Sequence, residues 1–176
     1  MARKNNDEAG VTLASLAADF NSGARGKALM SAVADSSVTD LHLYGLAGSA
    51  AAMALSAIKS DGPILVVGDS MDDAGYLCHD LTRICGAEST AVMPSGYKRD
   101  IKYGQPDAPQ QILRTETLGR LSVGDRKLRF VVTYPEALAE KVASAEEVEE
   151  STLRLAQGAT ADMTEVVKRL RDMGFR

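Results

Sequence analysis

The sequence predicts an α/β domain: a parallel sheet with helices on both faces, preceded by two short helices. Two observations predict it. "PILVVGD" and "KLRFVVTYP" are continuous apolar runs of strand length, as expected for strands buried on both faces. From Val38 onward such runs alternate with amphipathic stretches of helical period, the order that gives parallel strands joined by right-handed crossovers.

The elements follow in order. "MARKNNDEAG" is polar and expected to fray. Leu13, Leu16 and Phe20, then Leu29, Met30 and Val33, have helical spacing and are separated by the breaker "NSGARG", which gives the two leading helices. "VTDLHLYG" reads as a strand, Ser49–Lys59 as a helix, and "PILVVGD" as the next strand. "MDDAGYLCHDLTRICG" is a helix with acids in its first turn, where they suit the dipole, and Gly86 as its stop. "STAVMP" is a short strand, "DAPQQILRTETLGRL" a helix and "KLRFVVTYP" a strand. Beyond Pro135, Glu136, Glu140, Glu146, Glu147, Glu149 and Glu150 read as a solvated helix face. Ser144 with Glu147, and Asp162 with Glu165, are spaced as capping boxes. The last helix should end on Gly174 with Phe175 folding back on Leu170.

With 176 residues the chain suits one domain, or one plus part of another. It has no apolar run of membrane-spanning length and no leader pattern at Met1, so a cytoplasmic protein with no membrane partner is expected. A net charge of −4 argues against a domain-wide nucleic-acid footprint. Cys78 and Cys85 lie seven apart on one helix face, about 10 Å along the axis. A disulfide needs Cα atoms roughly 4.4–6.8 Å apart, so reduced core thiols are expected. His42 and His79 do not join them in a four-ligand set, and no metal site is expected.

The stretch "LYGLAGSAAAMALSAI" has the outline of a phosphate loop, with apolar residues, two glycines and then a helix start. In the frame G-x-x-x-x-G-K-[ST], Gly45 is the first glycine, and Gly48 and Ser49 lie within the loop. Ala50 replaces the second glycine, Ala51 the lysine and Ala52 the hydroxyl residue. Without the lysine there is no cation for the β- and γ-phosphates, and without the hydroxyl no magnesium ligand, so the loop reads as vestigial and no cofactor is expected. Ala50, Ala51, Ala52 and Ala54 instead allow this helix to lie close to the sheet. Other candidates beyond strand ends are Gly68-Asp69-Ser70, the 94–106 loop and Thr133-Tyr134. Asp69, Asp72 and Asp73 suggest magnesium, yet two of them suit a first helical turn. Ser70 and Ser95 lack a nucleophile elbow. Lys98, Arg99 and Lys102, interleaved with Tyr97 and Tyr103, form the one basic and aromatic loop and a candidate nucleic-acid contact.

Taken together, "GLAGSAAAMALSAI", "PILVVGDSMDDAGYLCHDL", the 94–105 loop, "ILRTETLGRL", "FVVTYPEALAEKV" and "TLRLAQGATADMTEVVKRLRDMGF" resemble, in order and spacing, the amino-terminal module of bacterial transcription-repair coupling factors. That module is similar to the first domain of the excision-repair protein UvrB. The resemblance covers about residues 41–176. It implies a degenerate phosphate-loop, helicase-like domain at 38–151, following a tail and two helices at 1–37. Residues 152–176 would be the leading strand and helix of a UvrA-binding domain, expected to be cut short because the chain is a piece of a longer protein. UvrB's long DNA-clamping hairpin does not fit in the 94–106 interval. The implied role is non-catalytic: scaffolding UvrA recruitment and restraining an ATP-driven motor. UvrA would be contacted mostly beyond Arg176, with the remaining domains, RNA polymerase and DNA engaged through the full-length protein. The alternative is a doubly wound enzyme that binds a nucleotide or phosphometabolite at Gly45–Ser49.

Overall fold

The computed structural model describes residues 12–97, 106–153, 155–158 and 160–175. Two short helices lead, α1 (Leu13–Ser22) and α2 (Ala24–Ala34). Thr12 and Ser15 form a reciprocal capping box on α1, and Gly23 separates the pair. After α3 (Ala50–Ala57) the chain alternates β1 (Ile64–Val67), α4 (Met71–Cys85), β2 (Thr90–Val92), α5 (Ala108–Ser122) and β3 (Phe130–Thr133). Three further helices follow, α6 (Pro135–Leu138), α7 (Ala145–Glu150) and α8 (Met163–Asp172).

The strands form one parallel sheet in the order β1-β3-β2, with Ile64 and Thr90 both level with Phe130. β3 is central and wholly buried, which explains its continuous apolar run. Its side chains alternate between two cores. Phe130 and Val132 join Val66, Ala74, Leu81 and Ala52 on the α4 side, while Val131 joins Met93 and Leu128 on the other, where Leu118 of α5 covers them. The expected parallel sheet with helices on both faces is therefore present. β1 is an edge strand, and on its α5 side Leu65 and Val67 stay 54% and 46% exposed.

Two expected strands do not form. Residues 38–45 carry strand-like alternation, but no strand of the sheet pairs with them, and alternation becomes a strand only through a partner. Among the described residues of 152–158 there is likewise no strand, for the same want of a ladder. α3 is shorter than the expected Ser49–Lys59; its Ala52 joins the core of Val66, Phe130 and Val132 on the sheet, and the helix packs against α1 and α4. Asn21 ties α1 to it, its amide donating to the carbonyls of Ala17 at 2.8 Å and Met53 at 2.7 Å.

Several end signals act as the sequence indicates. Gly86 stops α4 at φ 96° and ψ 151°, a conformation open almost only to glycine. Ser144 and Glu147 close their capping box. Asp162 caps α8 through the Thr164 N–H at 2.8 Å, without the expected return bond from Glu165. At its other end the N–H groups of Gly174 and Phe175 donate to the carbonyls of Arg171 and Leu170, a two-bond glycine cap, while the Phe175 ring stays exposed.

Candidate functional site

Residues 41–49 are exposed, and no strand delivers them to α3. Gly45 and Gly48 take φ of 75° and 54°, and the space a Cβ would fill at each is open. Ser49 precedes α3 without a side-chain cap bond. Ala52, at the place of the magnesium-binding hydroxyl, is fully buried among Val66, Ala74 and Leu81. A side chain there points into the core.

At the end of β1 the α4 N-terminus is filled by its own side chains. Ser70 Oγ accepts the Asp73 N–H at 3.2 Å, and Asp73 Oδ2 accepts the Asp69 N–H at 3.1 Å. With Asp72 also in the first turn, a phosphate would meet two carboxylates. Gly68 is required because a Cβ would come within 2.6 Å of the Ala74 nitrogen. Among the described residues no group of three or more His, Cys, Asp or Glu side chains could hold a metal ion. Cys78 and Cys85 are free and half-buried, and burial pushes both thiols up from their ordinary value, against a lowering contribution from Thr82 and Arg129 respectively.

The densest polar cluster lies beyond β2 and β3. Tyr134 OH accepts the Ser95 N–H at 2.8 Å, and Thr133 Oγ1 donates to the Met93 carbonyl at 2.8 Å. Glu140 accepts from Ser95 Oγ and, at 2.9 Å, from the Gly96 N–H. Arg114, 8% exposed, lies 3.7 Å from Glu140 Oε2 and donates to the carbonyls of Pro94, Ala137 and Glu140. Sequence reasoning missed this clasp: Glu140 was expected on a solvated face, and its side chain is instead only 17% exposed. The signal that could have found it is the spacing of Arg114, Thr117, Leu118 and Leu121, which puts an arginine on the apolar stripe of α5. The clasp joins the 94–97 turn to the segment after α6 and so holds that turn in place.

The same turn is pinned by an antiparallel bridge between Tyr97 and Pro106 and by the Asp107 N–H donating to the Gly96 carbonyl at 2.9 Å. Lys98, Arg99 and Lys102 lie between these anchors, outside the described residues. A cavity of about 620 Å³ opens beside the clasp, lined by Asp72, Tyr76, His79, Gln110 and Tyr134 among others. Among the described residues that line it there is no lysine or arginine. At the opposite end of the strands, Asp125 is held below the usual carboxylate range by the Lys127 N–H and by Arg120, and Glu88 raises Lys127.

Among the described residues no helix is long and apolar enough to cross a membrane. No family model, curated protein or solved structure matches the chain.

Proposed function

We propose that the chain is a non-catalytic amino-terminal module of a transcription-repair coupling factor, related to the first domain of UvrB. In this reading it acts in transcription-coupled excision repair by scaffolding UvrA recruitment and restraining the motor of the full-length protein. The observation that carries the non-catalytic part is Ala52: the position that would ligate magnesium is a fully buried methyl group, next to an alanine where the phosphate-binding lysine would stand. The collinear segments carry the family part. The apolar surface left on β1 and α8, with Leu65, Val67, Met163 and Val167 exposed, suits a module that other domains cover.

No observation favours the phosphometabolite enzyme: the Gly45–Ser49 loop is exposed, and alanines stand where its lysine and hydroxyl residue would be. The test is strand-resolved mapping of ultraviolet-lesion repair in cells lacking the gene. Loss of the faster repair of transcribed strands is expected. An unchanged strand bias would overturn the reading.

A further inference from the structure

Residues 39–46 run between α2 and α3 without helix, turn or strand partner. Among the described residues, none of their main-chain N–H or C=O groups makes a main-chain hydrogen bond. The rings of His42 and Tyr44 stack at 6.4 Å, the same-side relation that the two-residue period of an extended chain gives. The side chains are unusually open: Leu43 is 47% and Tyr44 89% exposed. Beside them α1, α2 and α3 wall a groove of about 730 Å³ whose lining is mainly leucine, phenylalanine, alanine and glycine. Among the described residues that line it, Arg25 is the one lysine or arginine and none is acidic.

These features select one kind of occupant. A docked helix satisfies its own main chain and would leave 39–46 unpaired, whereas an extended segment pairs with it and offers alternate side chains to the groove. The lone cation adds a preference for a carboxylate. A small apolar ligand fits less well, because walls this exposed would leave it largely in solvent.

We propose that residues 39–46 are an edge for strand addition by a partner protein. The partner segment is extended, alternates apolar residues and brings one carboxylate to Arg25. This proposal does not depend on the coupling-factor reading and would hold for a module of another assembly.

The test uses a fluorescein-labelled decapeptide alternating valine and threonine around one glutamate, titrated into the full chain by fluorescence anisotropy. Two further peptides are N-methylated on alternate amides, one on each edge. Saturable binding is expected, with one methylated peptide weakened about tenfold or more through lost main-chain bonds and the other retained. Replacing the glutamate by lysine should weaken binding, and the exposed-site variant Arg25→Glu should reverse that preference. Absence of saturable binding, or equal binding by both methylated peptides, would overturn the proposal. So would sedimentation showing a dimer that the peptide does not dissociate, since the edge would then belong to a second copy of the chain.

Discussion

Ala51 and Ala52 differ in what they reveal. Ala51 lacks the lysine's charge, a fact visible in the sequence alone. Ala52 is buried to the last square ångström, which the sequence could not show because the burial comes from α4 and β1 meeting it. The double variant Ala51→Lys, Ala52→Thr should therefore gain no ATPase activity in a phosphate-release assay. It should lose about 1–3 kcal/mol of stability in urea, because extra volume and a hydroxyl enter a packed core. Glu140 teaches the converse. Among so many glutamates it carries no local mark, and only its distant partners Ser95, Gly96 and Arg114 distinguish it. Glu140→Ala should cost about 2 kcal/mol by urea unfolding, since Arg114 keeps its three carbonyl bonds but loses its counter-charge. Glu149→Ala, at an exposed position of α7, should not reproduce that loss.

Helices were legible wherever a stop or cap was written in local chemistry. α4 shows this best, with Ser70 at one end and Gly86 at the other. Gly86→Ala should destabilise the chain by about 1–3 kcal/mol in thermal or urea unfolding, because its φ of 96° at extended ψ excludes a Cβ even though open space surrounds it. β1 and β3 were legible as continuous apolar runs, and β2 as a short strand in "STAVMP". Residues 38–45 were not, because alternation of Leu41, Leu43 and Gly45 fits a strand or a chain lying along helices equally well, and only the position of a partner decides.

At the scale of the whole molecule, the alternation of runs predicted the parallel sheet and its two covered faces, but not the order β1-β3-β2 that leaves β1 at an edge. That order depends on contacts between residues more than sixty positions apart, such as Ile64 with Phe130, which no local pattern encodes. The resulting molecule has two cores, a clasp that ties the 94–97 turn to Glu140 and Arg114, and open apolar surfaces on β1, α8 and residues 41–46.

The claim on which this rests is that the Gly45–Ser49 turn no longer handles nucleotide. Isothermal titration of the chain with Mg-ATP addresses it directly. The expected result is no saturable heat at millimolar nucleotide and no phosphate release. Stoichiometric micromolar binding that is lost on removing magnesium would contradict the account.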